Sequence, residues 1–365
     1  MAKNKQDKEI RKIRNAIDSI DGKILSLITK RADHAFKIGQ LKSKDLSKNT
    51  FYKPEREAAI ISKVLKNNES KISNNKIRAI YKELISACLS LEESLKVGYL
   101  GPEGTHSEAA VHFHFGSSAK RMPATTIEDV FYQTMNKETS LGVVPVENSS
   151  EGVVNSTLNC LADNKNIKIV GEIFLNISHQ LACSNQIKPE EAFAIASHPQ
   201  ALGQCNKWIE RNCGSIKRLE MPSSAEAAKY ARENKNILCI VNNVAIERYK
   251  LKLIKENIQD FDNNKTRFLV IGMDDVDKTG SDKTSLLIQT KNNPGALMSV
   301  LRPFETGKIN LSKIETRPSR GNVNSHEFFV DCEGHIASKA LSSAIKNIQK
   351  TGAFVRVLGS YPQFL

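Results

Sequence analysis

From residue 8 to residue 42 the apolar positions recur every three or four residues. Ile13, Ile17, Ile20, Ile24, Leu27, Ile28, Ala35 and Ile38 fall on one stripe at roughly 100° per residue, the period of an α-helix. No proline interrupts the run, and only Gly22 and Gly39 weaken it. A polar break, KSKDLSKNT, follows. Pro54 suits the first turn of a second helix over 54–67, and a third helix is predicted over 73–94, with Ile77, Ile80, Leu84, Cys88, Leu91 and Leu95 on one face. Residues 1–95 therefore read as an all-α domain.

The pattern changes at Lys96. VGYLG, LGVVPVENS, IKIVGEIFL, FAIASHP and ILCIV are strand candidates separated by helical stretches, which predicts an α/β domain over 96–272. MDDVDKTGSDK is a polar linker. From Lys283 to residue 365 the order is strand, helix, strand, strand, helix, strand, an α+β ferredoxin-like unit.

Composition adds little to this picture: 40% hydrophobic and 25% charged residues are ordinary for a globular chain. No apolar run nears the ~20 residues of a membrane span, and MAKNKQDKEIRKIRN lacks the apolar stretch of a secretion signal. A cytoplasmic protein with no membrane partner is expected. Seven cysteines, none in a Cys-x-x-Cys pair, point to reduced thiols rather than disulfides or zinc. The net charge is +13, and residues 1–95 hold 21 Lys and Arg against 12 Asp and Glu. The basic residues are not interleaved with aromatics, so a solvated surface or the steering of small dianions fits better than nucleic acid.

Two cations sit inside the first apolar stripe. With Ile24 at zero, Arg31 lies roughly 20° away and Lys42 returns near zero, while Arg14 is roughly 80° round, at the edge. Buried cations need anionic partners. Either they pair with Glu57 or Glu92 or snorkel to the surface, or they hold an anionic ligand between helices.

At this point the first 90 or so residues resemble the all-helical chorismate mutases, through IRNAIDSIDGKILSLITKR, GQLK, PEREAAII and SACLSLEE. The resemblance implies that Arg14 and Arg31 clamp the carboxylates of chorismate, that Lys42 meets its ether oxygen, and that Glu57, with Arg56 beside it and Lys53 near, meets its ring hydroxyl. The step is an intramolecular pericyclic rearrangement. It needs a compact substrate conformer and stabilised charge on the breaking ether oxygen, but no nucleophile or cofactor. Two positions depart from the family. Glu92 stands where some members carry glutamine, so donation there requires a protonated carboxyl and activity is expected to fall as pH rises. Cys88 stands where serine is common. The family dimerises through its first helices, so a homodimer or a higher homo-oligomer is expected.

The middle region carries GPEGTHSEAA, VVPVENSSEG, SHPQALGQC, SSAEAA and NKTRFLVIG in order, and it resembles the prephenate dehydratases, with their two-lobed fold like that of type 2 periplasmic binding proteins. Read without the family, the Gly101-x-x-Gly104-Thr105 turn and the loop after LGVVPVENS are anion-binding candidates at strand ends. The alternative for each is simple helix capping. The resemblance implies Thr266 as donor to the departing hydroxyl. It adds Thr105, Asn148, Ser149, Ser197 and Gln204 as prephenate contacts, and Arg267 either as a carboxylate partner or as a structural ion pair. His106 replaces the family's usual aromatic residue, and ILCIVNNVAIERYKLKLI replaces a stretch richer in Ala and Gly.

The last 80 or so residues resemble an ACT domain, through Gly295, Ala296, Leu297 and Met298 after Pro294, and through Glu315, Thr316, Arg317 and Pro318. This implies a site for phenylalanine, an inhibitor of the dehydratase. No cofactor and no metal are expected. A binding protein without chemistry, a nucleic-acid binder, and a dehydratase that has lost its mutase or prefers arogenate remain as alternatives.

Overall fold

The computed structural model describes residues 2–43, 52–318 and 325–363. The chain divides into two compact units, one built on residues 1–52, 68–95 and 115–119, the other on the remainder.

The first unit is helical. α1 (Ala2–Lys42) and α3 (Asn74–Glu92) pack together, while α2 (Pro54–Lys66) lies in the second unit. α1 has 41 residues and α3 only 19, so only the C-terminal end of α1 finds cover. Ala35 is buried there, and Gly39 is required by close approach, because a Cβ at that position would lie 2.8 Å from the Glu92 backbone. The rest of the stripe departs from its expected burial: Ile13 is 56% and Ile24 48% exposed.

The second unit contains three sheets. The first lobe of the middle region has β1 (Lys96–Leu100), β2 (Lys120–Ala124), β3 (Leu141–Asn148), β4 (Gly152–Val153) and β5 (Lys168–Asn176), with helices α4 (His106–Phe115), α5 (Ile127–Met135) and α6 (Asn155–Asp163). The chain then crosses to a second lobe of β6 (Gln180–Cys183), β7 (Ala194–Ser197), β8 (Lys217–Glu220), β9 (Ile237–Val241) and β10 (Lys252–Lys255). Its helices are α7 (Pro199–Gln204), α8 (Asn206–Cys213), α9 (Ser224–Glu233) and α10 (Asn243–Tyr249). β11 (Lys265–Gly272) returns to the first lobe and inserts between β3 and β5, giving the order β2-β1-β3-β11-β5. The second lobe has the order β10-β6-β9-β7-β8. The chain thus crosses between the lobes twice, from β5 to β6 and from β10 to β11, and the space between two such lobes is where a ligand cleft forms.

β11 and β3 are antiparallel, with Thr266 opposite Asn148 and Arg267 opposite Glu147; the register slips next, so that Phe268 faces Pro145. Pro145 has no N–H to give the ladder, which is where sheets place a bulge.

The third sheet is built from β12 (Asp282–Lys291), β13 (Leu311–Pro318), β14 (Ser325–Glu333) and β15 (Phe354–Pro362), in the order β13-β14-β12-β15, with α11 (Ala296–Thr306) and α12 (Lys339–Lys350). Its strand and helix order is the one the sequence predicts. Leu286, Ile288, Val300, Phe304, Leu341 and Ile348 form its core. Its other face meets the first lobe, where Leu287, Phe329, Leu358 and Tyr361 join the core of β3, β11 and α6. β15 also packs on β5 and on α2. Ile61 of α2 is buried at 5% exposure, and α2 packs against β15.

Candidate functional site

Arg31, Lys42, Cys88 and Glu92 lie where α1 meets α3, and Arg14 lies further along α1 in its exposed half. Arg31 Nη1 donates to the Leu84 carbonyl at 3.3 Å, and Lys42 Nζ donates to Glu92 Oε2 at 3.0 Å. In this arrangement Glu92 is the acceptor for the Lys42 ammonium. Cys88 is buried. Lys53, Arg56 and Glu57 belong to the second unit, at the start of α2: Lys53 and Arg56 are exposed, Glu57 half-buried.

The cleft of the second unit gathers a chain of polar side chains. Asn148 Oδ1 accepts from the N–H groups of Ser150 (2.8 Å) and Glu151 (3.3 Å). That fixes the amide orientation, so Nδ2 faces Thr266 and donates to its Oγ1 at 2.7 Å. Ser149 Oγ donates to Asn264 Oδ1 at 3.1 Å, Asn264 Nδ2 donates to Gln204 Oε1 at 3.0 Å, and Gln204 Oε1 meets His179 Nε2 at 2.7 Å. The His106 ring stands edge-on to His179 with centroids 5.8 Å apart. Gln204 Nε2 and His179 Nδ1 are buried and make no hydrogen bond.

Three expected prephenate contacts are committed elsewhere. Ser197 is fully buried and donates to the Ile240 carbonyl at 2.7 Å. Thr105 donates to the Leu100 carbonyl at 3.2 Å, which ties off its turn. Arg267 points away from the cleft, as its place next to Thr266 in a strand requires. It pairs with Glu172 (2.9 Å) and Asp331 (2.5 Å) and donates to the Tyr361 hydroxyl (3.1 Å). Burial opposes its charge, but Tyr361, Asp331 and Glu172 outweigh that and hold its proton more tightly than usual. It is the structural ion pair, not a carboxylate clamp.

His179 and Asn264 were not singled out from the sequence. Asn264 lies two residues before Thr266, and a scan of that motif's flanks for amides would have found it. His179 has no local signal, because its role depends on meeting Gln204 across the second lobe. The loop Gly101–Gly104 is held by a further set: Glu108, fully buried, accepts from the Gly104 N–H at 2.5 Å and also pairs with Arg248, while Asn242 Nδ2 donates to the Gly104 carbonyl at 2.9 Å.

Burial, and then His179, push the His106 imidazole down to about 3, and burial lowers His179 too, partly offset by the Gln204 hydrogen bond. Both rings take up protons less readily in the folded chain than in the unfolded one. The destabilising effect of each therefore starts as pH falls through about 6.5, and that of His106 grows toward pH 3. His106→Phe is expected to lose about 1 kcal/mol less stability than wild type between pH 7 and pH 4.5, a figure discounted for the partial solvent contact of the ring. Urea unfolding at the two pH values measures this, and identical losses would exclude His106 as a source.

In the third sheet, Gly295, Ala296, Leu297 and Met298 border a recess of about 200 Å³ with Thr290 and Phe328. Glu315, Thr316, Arg317 and Pro318 lie on β13, with Thr316 paired to Phe328 across β14. Arg317 is engaged by Glu327 at 2.7 Å and by Asn159 of the first lobe.

Cations set along helices, and a two-lobed α/β cleft with amides and a hydroxyl at its strand ends, define an enzyme that acts on small anions. Residues 13–93 match the family described as chorismate mutase type II, and residues 97–276 match prephenate dehydratase. A bifunctional chorismate mutase/prephenate dehydratase of Stutzerimonas stutzeri is 39% identical over 97% of this chain and 98% of its own. The protein of the same name from Aquifex aeolicus is 42% identical over 98% and 99%. A solved prephenate dehydratase from Arthrobacter aurescens, in complex with L-Phe, superposes with a TM-score of 0.67 and 27% identity over 73% of this chain and 90% of that one. The chain belongs to the bifunctional chorismate mutase/prephenate dehydratase family. It is an enzyme of both activities, rearranging chorismate to prephenate and converting prephenate to phenylpyruvate.

Proposed function

We propose that dehydration is carried out at the Asn148–Thr266 pair and rearrangement at Arg14, Arg31 and Lys42. The observation that carries the first assignment is the 2.7 Å hydrogen bond from Asn148 to Thr266. Thr266 accepts there, so its one proton remains to be given to another group, and the accepted bond strengthens it as a donor. As the ring carboxylate leaves as CO2, the electron pair of the broken C–C bond aromatises the ring. The ring hydroxyl departs as water, with a proton supplied through Thr266. The unpartnered Gln204 Nε2 supports a substrate contact on the opposite lobe.

Rearrangement at α1 rests on charge. Arg31 and Lys42 are the half-buried cations of that helix, and a developing ether oxyanion is best met by an ammonium. Lys42 then exchanges Glu92 for substrate. The uncovered isoleucine stripe of α1 supports a homodimer, with a second copy over Ile13–Ile24. No helix among the described residues is long and apolar enough to cross a membrane, and the chain works in the cytoplasm. Three functional segments follow: mutase over 1–95, dehydratase over 96–272, and an ACT-type regulatory domain over 283–365 that binds phenylalanine at Gly295–Met298 and inhibits the dehydratase.

Arg31→Ala supplied with chorismate is the test. Mutase turnover is expected to drop by about 100-fold or more, while added prephenate is still converted to phenylpyruvate at the wild-type rate. Unimpaired chorismate turnover in this variant would remove Arg31 from the reaction.

A further inference from the structure

The ladder step behind the Asn148–Thr266 pair is the Glu147–Arg267 pair, and strand alternation turns it to the opposite face of the sheet. That face meets the C-terminal sheet. There Lys313 of β13 lies opposite Asp331 of β14 in register. The two ladder steps carry complementary charges across the gap between the sheets: Lys313 Nζ meets Glu147 Oε2 at 2.5 Å, and Arg267 Nη1 meets Asp331 Oδ2 at 2.5 Å. Ser285 Oγ donates to the other Asp331 oxygen at 2.5 Å and lies 2.7 Å from the Tyr361 hydroxyl that Arg267 also reaches. A small cavity, lined chiefly by apolar residues such as Val146, Leu158 and Phe329, also borders Arg267, Ser285, Lys313 and Asp331. Two residues beyond Lys313, β13 reaches Glu315, and Thr316 pairs with the recess residue Phe328.

We infer that Lys313 and Arg267 are positioning residues. They hold Glu147 and the backbone of β11, thereby set the Asn148–Thr266 geometry, and are the route by which the state of the C-terminal sheet reaches dehydration. None of the four charges touches substrate. The inference rests on the reading of Thr266 and of phenylalanine binding given above. A displacement of β13 moves the Lys313 ammonium, Glu147 follows it, and Asn148 is the next residue along the same strand. A misplacement of 1 Å at reacting groups is enough to cost about 100-fold in rate.

The test uses the full chain with Lys313→Met, Lys313→Arg, Glu147→Gln and the Lys313→Met/Glu147→Gln double variant. Lys313→Met keeps the aliphatic stem and removes the charge. It is expected to lower dehydratase kcat by about 10- to 100-fold with KM little changed, and to leave mutase turnover at the wild-type level. Lys313→Arg restores most of the rate, and the double variant is no slower than the slower single one, as a shared contact requires. Phenylalanine still binds Lys313→Met by calorimetry with wild-type affinity but no longer inhibits it. A Lys313→Met protein with wild-type kcat and a wild-type inhibition curve overturns the inference, as does strict additivity of the two single changes. If phenylalanine does not bind the wild-type chain, the sensor reading fails, and the kcat cycle alone decides on positioning.

Discussion

Thr266→Val, which keeps the shape and removes the hydroxyl, is expected to lower prephenate dehydration by about 10²–10⁴-fold, while chorismate is consumed at the wild-type rate and prephenate accumulates. The magnitude is that of losing a positioned proton donor. Asn148 is left with an unused Nδ2, but its Oδ1 still holds the Ser150 and Glu151 N–H groups, so the loop stays in place. Thr266→Ser, which retains the hydroxyl on a freer rotor, should recover activity to within about tenfold of wild type. The mutase is spared because Arg31 and Lys42 belong to the other compact unit. Stopped-flow or end-point assays that separate chorismate loss from phenylpyruvate formation measure both at once. A Thr266→Val enzyme that dehydrates prephenate at the wild-type rate would end the assignment.

Where the sequence was informative, local periodicity carried the information. α1 shows in its isoleucine spacing, and the third sheet in a strand and helix order that each element signals for itself. The Asn148–Thr266 pairing is 118 residues apart in sequence, yet both residues sit in motifs with a family likeness, and so both were named. Edge strands β2, β8 and β10 gave no signal. KRMPA, KRLE and KLIK are short and rich in lysine and arginine, the composition edges use against aggregation, and they lack clean alternation. The packing of α2 against β15 was also hidden. An amphipathic helix announces that it needs a partner but not which one, and β15 lies almost 300 residues further along the chain. Arg267 shows the same limit at a single residue. Thr-Arg-Phe within NKTRFLVIG invites a substrate role for the arginine, whereas Glu172 and Asp331, 95 and 64 residues away, decide otherwise.

Those partners make Arg267→Ala a strongly destabilising change to the second unit. Arg267 is 6% exposed and Glu172 3%, and Lys283 Nζ also meets both Glu172 oxygens at 2.8 Å. Removing the guanidinium leaves Lys283 to neutralise Glu172 but strips Asp331 of its ion-pair partner, with the Ser285 hydroxyl still donating to it. Breaking a buried pair from one side typically costs about 3–5 kcal/mol, because the remaining charge stays in a poorly solvating place. Arg267→Lys should recover only part of this, since an ammonium cannot reach Glu172, Asp331 and Tyr361 together as the planar fork does. The only tryptophan of the chain, Trp208 on α8, lies in the second unit and reports its unfolding by fluorescence in urea. The outcome separates the two roles for this residue. A substrate clamp predicts a raised KM for prephenate with the urea midpoint unmoved. The ion-pair role predicts a midpoint shifted sharply down, and a dehydratase rate that falls with it. An unmoved midpoint would return Arg267 to the cleft.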